Sequence, residues 1–337
     1  MGKKVYRISC SIVLVIVAMP AVSQIERANC GNPNPDVSIA ACTKKIKFDT
    51  ADLQSDSGIH QAAVAHLATD YDNRGVAYAN KGLYDQAIAD FDQAISLSPK
   101  TFPIAYFNRG SAYDNQGLDD EAIADYSTAI LLQPAGTPDF PLADAYDYRG
   151  NVYERNGLYD KAIADFTMAI SINPSLESAY ANRGNDYLRK ALYNLAIADF
   201  SKVVLLDSRD VGSRYNRAIA YEHKGLYDDA ITDLTEEISL APNFADAYDK
   251  RGIAYAHKGL YDQAIADYTQ EIAINAKDVQ LHPAFAPQYA GAYDHRADAY
   301  EHKGVTDAAI ADYRAALKLD PGMQSAKAAL MRLGAGP

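Results

Sequence analysis

YDNRGVAYANKGLYDQAIADFDQAISLSP, running from Tyr71 to Pro99, holds the pattern that decides the fold. Tyr71, Gly75 and Tyr78 fall at i, i+4 and i+7, one face of a helix. Gly82 follows, and glycine accepts the left-handed conformation that closes a helix at low cost. Ala87, Phe91 and Ala94 then repeat the same spacing on a second helix, which Pro99 cannot continue. Small residues at Gly75, Ala87 and Ala94 let the two axes approach, and Tyr and Phe fill the space around them. The stretch therefore predicts an antiparallel helix pair. One such pair cannot bury its apolar face alone, so pairs of this kind must stack.

The pattern recurs along the chain. Arg-Gly or Arg-Ala returns at Arg74, Arg109, Arg149, Arg183, Arg217, Arg251 and Arg296, with spacings of 35, 40, 34, 34, 34 and 45. The base period is 34 residues, with insertions at Thr137 to Leu142 and Val279 to Tyr289. In phase with these, the pattern resembles the tetratricopeptide repeat, with its aromatic, Gly, Tyr, Ala, Phe and closing Pro at set offsets. Seven units fit, at 68–101, 103–136, 143–176, 177–210, 211–244, 245–278 and 290–323. Tyr stands in place of the family's Trp. Arg214 interrupts the Tyr column, Ala218 and Ala297 replace Gly, Val203, Glu237 and Glu271 replace Ala, and Ser208 and Ala276 replace Pro.

The resemblance implies an all-α, right-handed superhelical solenoid of helix-turn-helix repeats with a capping helix at each end. Asp36 to Cys42 aligns with Asp85 to Phe91, so residues 36–47 read as a lone second helix, and 48–58 as a loop. The whole segment 24–67 is an N-terminal cap region. Ala326, Ala329, Leu330 and Leu333 place a closing helix in 324–337. The resemblance also implies that partners lie along the concave face of the first helices. The matching positions hold Asp72, Asp114, Asp144, Asp147, Glu154, Glu222, Asp246, Asp249, Asp294, Asp298 and Glu301, opposed mainly by Arg155 and Arg189. Relatives that clamp the C-terminal carboxylate of chaperones use Lys and Arg there, so that activity is not implied. The acidic set instead suggests a basic protein or peptide segment. Asp72, Asp147, Asp249 and Asp294, at one repeated position, are expected to face solvent and read it.

The first 23 residues have the three parts of a secretory signal. Lys3, Lys4 and Arg7 precede an apolar run from Ile8 to Ala18, and Ala21-Val22-Ser23 offers a cleavage site after Ser23. The run falls short of the roughly 20 residues of a spanning helix, which favours cleavage over a retained anchor. An exported, periplasmic or secreted chain is expected, with no stable membrane insertion afterwards. Cys10 leaves with the signal. Cys30 and Cys42 remain as one pair in an oxidising compartment and read as a disulfide. Their segment is similar to the N-terminal leaders of exported bacterial repeat proteins. The formal charge of −12 argues against nucleic acid, because phosphate binding needs a basic face.

Arg at the seventh and Asp at the twenty-third position of every unit (Asp90, Asp125, Asp165, Asp199, Asp233, Asp267, Asp312) read as a structural ladder, paired within a unit or between neighbouring units. The 25 Tyr read as core, as at Tyr78, Tyr113, Tyr153 and Tyr187, rather than as sugar-stacking platforms. His223, His257 and His302 recur beside Lys and read as solvated, with no third ligand for a metal. Glu237 and Glu271 are each followed, in the next unit, by a basic residue, Lys250 or His295, and charge pairs are expected there. No phosphate loop, zinc-hydrolase motif or nucleophile elbow is present, and no cofactor is expected. The expected function is a scaffold for protein–protein interaction. An envelope-anchored spacer and an enzyme acting on a glycan or basic substrate are the alternatives.

Overall fold

The structure is a computed structural model and describes residues 29–54, 60–133, 141–281 and 287–336. The signal-like residues 1–23 and parts of both insertions lie outside these. The described residues form sixteen α-helices and no strand. The chain divides into two compact units, Met1–Ala179 and Tyr180–Pro337, and the boundary falls inside one helix.

In the first unit α1 (Pro35–Gln54) packs on α2 (His60–Asn80), which pairs with α3 (Tyr84–Leu97). Then come the pairs α4 (Pro103–Gln116) with α5 (Asp119–Leu132) and α6 (Leu142–Arg155) with α7 (Tyr159–Ile172). The boundary helix is α8 (Glu177–Arg189). The second unit continues with α9 (Tyr193–Leu206), α10 (Val211–His223), α11 (Tyr227–Leu240), α12 (Ala245–His257), α13 (Tyr261–Leu281), α14 (Ala290–His302) and α15 (Thr306–Leu319). The closing helix α16 (Gln324–Arg332) packs on α15. Between the capping helices α1 and α16, the pairs from α2–α3 to α14–α15 are the seven repeats, so the described residues form a helical-pair solenoid as expected. Two boundaries move. Residues 48–54 continue α1 as helix rather than loop, and α13 runs on to Leu281, into what was expected to be a linker.

The core of each repeat is the ring or Leu at its twenty-fourth position. Phe91, Tyr126, Phe166, Phe200, Leu234, Tyr268 and Tyr313 are all fully buried or nearly so. The first-helix glycine is small because of this ring: a Cβ on Gly75 would stand 2.6 Å from Phe91 Cε1, and one on Gly150 2.6 Å from Phe166 Cε1. Where the fifth repeat has Ala218 instead, the ring is exchanged for Leu234 in the same cluster. The turn between the helices requires a left-handed residue. Gly82 has φ +72° and Gly225 φ +71°, whereas Ala191 holds φ 56° with a Cβ.

Candidate functional site

The ladder forms as forked ion pairs inside each repeat. Arg149 Nε and Nη2 donate to Asp165 Oδ2 and Oδ1 at 2.7 and 2.8 Å, and the other six Arg bind the Asp sixteen residues on in the same way. Two parallel bonds to a carboxylate are the strong geometry for arginine. Only 16% of the Arg149 side chain and 8% of Asp165 remain exposed. Tyr rings flank each guanidinium: Arg109 lies 5.7 and 5.8 Å from the centroids of Tyr106 and Tyr113, and Arg149 5.5 and 5.8 Å from Tyr146 and Tyr153. These half-buried tyrosines pack against the core clusters, as expected, and are cation–π partners as well. Because the carboxylates of the second helices occupy the repeat arginines, they leave the acids of the first helices without those cations.

The aspartates expected to read a partner behave differently from that expectation. Asp72 and Asp147 are each only 2% exposed. Asp72 Oδ1 accepts from Asn108 Nδ2 at 3.0 Å, and Asp147 Oδ2 from Ser178 Oγ at 2.9 Å. In the second unit, His295 Nδ1 lies 2.8 Å from Asp249 Oδ1, and Ser325 Oγ donates to Asp294 Oδ2 at 2.8 Å. Each bond reaches the next repeat or the closing helix. The four Asp thus tether successive first helices, and the expectation that they face solvent is corrected for Asp72 and Asp147. The physical reason is that a short side chain at this position points across the seam, where the next helix shields it. Burial lifts the Asp72 carboxyl to about 7, against the Asn108 hydrogen bond.

Others of the set serve as acceptors for buried or neighbouring groups. Asp114, 5% exposed, accepts from Arg155 Nη2 at 2.9 Å and from the Tyr126 hydroxyl at 3.3 Å. Glu301 accepts from Arg332 at 2.8 Å and from Tyr313 at 3.0 Å, and the Arg332 bond holds its carboxyl below the usual range. Asp144 and Glu154 are half-buried. Asp246 and Asp298, both in the second unit, are exposed, and Glu222 is half-buried like Asp144 and Glu154. Asp298 also accepts from the Tyr313 hydroxyl at 2.7 Å.

The recurrent histidines are exposed, as expected, and each also stacks on a tyrosine of the preceding repeat. His223 stacks on Tyr193, His257 on Tyr227 and His302 on Tyr261, at 4.8, 4.8 and 5.0 Å between centroids. Lys258 pairs with Asp228 and Lys303 with Asp262 beside two of these stacks. A ring stack and an ion pair together clasp one repeat to the next. The clasp of Tyr261 and His302 survives the insertion between them. Among the described residues no group of three or more His, Cys, Asp or Glu is placed to hold a metal ion. The charge expected between Glu237 and Lys250 is not found: the cation facing Glu237 is Arg214.

Cys30 and Cys42 form a disulfide with Cα atoms 4.7 Å apart, buried beside Ala41. The cap is also held by an ion pair between Lys45 and Asp70. Among the described residues no helix is long and apolar enough to cross a membrane.

A stack of helix pairs with internally neutralised arginines defines a repeat scaffold. Profiles described as the tetratricopeptide repeat match residues 73–101 and 143–176, 104–135 and 290–323, and 182–243. The chain belongs to the tetratricopeptide repeat family. No curated protein matches it. Among solved structures it is similar to the C-terminal part of a TPR repeat-containing protein from Cytophaga hutchinsonii, at 21% identity over 76% of this chain and 98% of that one, with a TM-score of 0.64. It is also similar to YrrB, a TPR protein with an unusual peptide-binding site, at 24% identity over 55% of this chain and 92% of that one, TM-score 0.50. The structure titled MamA is 28% identical over 51% of this chain and 94% of that one, TM-score 0.47.

Proposed function

We propose that the protein is an exported, non-catalytic scaffold that holds a basic protein segment on the first-helix face of its second unit. The observation that carries this reading is the fate of the charges. The repeat arginines are all taken up by second-helix aspartates, while Asp246 on α12 and Asp298 on α14 stay exposed and Glu222 on α10 is half-buried. Unneutralised carboxylates on neighbouring helices attract a cationic partner and speed its encounter. The peptide-binding site named for YrrB is consistent with such a use of this fold.

A fluorescein-labelled peptide of alternating Arg and Gly tests the reading by anisotropy. It should bind, and binding should weaken as salt shortens the Debye length from about 8 Å at physiological ionic strength. The triple variant E222Q/D246N/D298N should keep its urea midpoint and bind at least about tenfold more weakly. Equal affinity of the variant and the wild type would sink the proposal. Export is supported by the signal-like start and the buried Cys30–Cys42 bond. Protein recovered from cells should begin near Gln24 and carry no free thiol; an intact Met1 with three reactive thiols would contradict export.

A further inference from the structure

The face that carries the open acids of the second unit also carries apolar side chains. On α10, Tyr215, Ile219 and Glu222 fall at i, i+4 and i+7 and share one side of the helix. Tyr215 and Ile219 are both half-buried. On α12, Ile253 lies one turn beyond Asp249 and is half-buried too, although it packs on the cluster of Ala264, Tyr268 and Ala299. On α14, Asp298 is exposed. Ile219, Ile253 and Asp298 are each the ninth residue of their repeat.

These three residues form one row, because the helices that carry them are in contact. The Tyr215 ring meets the ring of Phe244, the residue that caps α12, edge-on at 5.0 Å between centroids. Asp249 on α12 lies 2.8 Å from His295 on α14. In the first unit the same position holds Val76 and Ser111, each 1% exposed, and then the polar Asn151. The row is closed or polar there, and open and ordered in the second unit. One half-exposed apolar side chain is ordinary on a protein surface. Two in register on packed helices, ending on an open carboxylate, make a surface with a chemical order: apolar, apolar, acidic.

The spacing of the row selects a backbone. Packed helices lie roughly 8–10 Å apart. A polyproline-type chain rises about 9 Å per turn of three residues, so every third side chain meets the next helix. In a β-type chain, side chains three residues apart point to opposite faces, and the match is lost. We infer that this row reads an amphipathic segment in the polyproline conformation, with apolar side chains on Ile219 and Ile253 and an arginine or lysine on Asp298, one at every third residue. The inference rests on the proposed binding of a basic segment and names the order and spacing of its side chains. Burial of the apolar groups supplies affinity, the Asp298 charge fixes the direction of the segment, and Tyr215 gives the first apolar group an aromatic wall.

Anisotropy with two fluorescein-labelled peptides of one composition tests this. Leu-Pro-Pro-Leu-Pro-Pro-Arg carries the three groups at the inferred spacing, and Leu-Leu-Arg-Pro-Pro-Pro-Pro carries them side by side. The wild type should bind the first at least about tenfold more tightly than the second. That comparison does not depend on how any variant folds. I219A/I253A should lose the preference and keep its affinity for the Arg-Gly peptide, because its carboxylates are untouched. Equal affinity of the wild type for the two peptides, or an undiminished preference in I219A/I253A, would overturn the row while leaving the binding of basic segments intact. Failure of the wild type to bind any of the peptides, the Arg-Gly peptide included, would overturn both.

Discussion

Ala191 is the clearest single-residue departure from the repeat. The turn between paired helices needs a left-handed residue, and Gly82, Gly117, Gly157, Gly225, Gly259 and Gly304 provide it where the fourth repeat has Ala191 at φ 56°. A Cβ in that region costs roughly 1–2 kcal/mol, and glycine's greater freedom in the unfolded chain offsets part of the difference. Ala191→Gly should stabilise the protein by about 1 kcal/mol, read as a higher urea midpoint at an unchanged slope; a lower midpoint would show that the turn is not strained. The opposite constraint holds at Gly75 and Gly150, where a side chain would collide with Phe91 or Phe166. The alternation of glycine for freedom and glycine for closeness was readable as spacing alone. The backbone angle and the ring beside each glycine bear out both roles.

Within one repeat, the pair of helices is held by apolar contact and by the forked Arg–Asp pair. That pair spans sixteen residues in every repeat, as from Arg149 to Asp165, a distance set by a turn of constant length. Removing one partner of a largely buried pair costs about 3–5 kcal/mol, because the other charge stays shielded without it. Arg149→Ala should therefore lower stability by several kcal/mol, whereas Lys161→Ala, on the next helix, should shift it by about 1 kcal/mol or less. Equal urea midpoints for the two variants would show that the ladder is only surface decoration. The ladder was legible in advance because both partners recur in phase, but whether each Arg met the Asp of its own repeat or of a neighbour was not. The tyrosines pack on the core as their periodicity implied, but periodicity does not show that a guanidinium lies over their rings.

Across the molecule, buried carboxyls make stability depend on pH. Burial raises Asp70 despite Lys45, lifts Asp72 and Glu237 to about 7, and lifts Glu271 to about 8. Each binds its proton more tightly when folded than unfolded. Its contribution is thus fully present below the unfolded pKa near 4 and is lost as pH rises through 7 to 8, at about 1.4 kcal/mol per group and pH unit between those limits. The urea midpoint should fall between pH 5 and pH 8.5, and D72N/E237Q/E271Q should flatten that decline. A midpoint that rises over this range in the wild type would refute the assignment. The sequence by itself determined the repeat, its period, the helix pairs, the Arg and Asp columns and the cystine, because all of these depend on neighbours at a short separation; that each Arg meets the Asp of its own repeat was decided by the packing. Only the tertiary structure decided what joins one repeat to the next. Asp72 meets Asn108, Asp249 meets His295 across an insertion, and His302 stacks on Tyr261. Those partners are chosen by how two helices lie against each other, so a carboxylate that looks free in one repeat is buried by the side chain of the next.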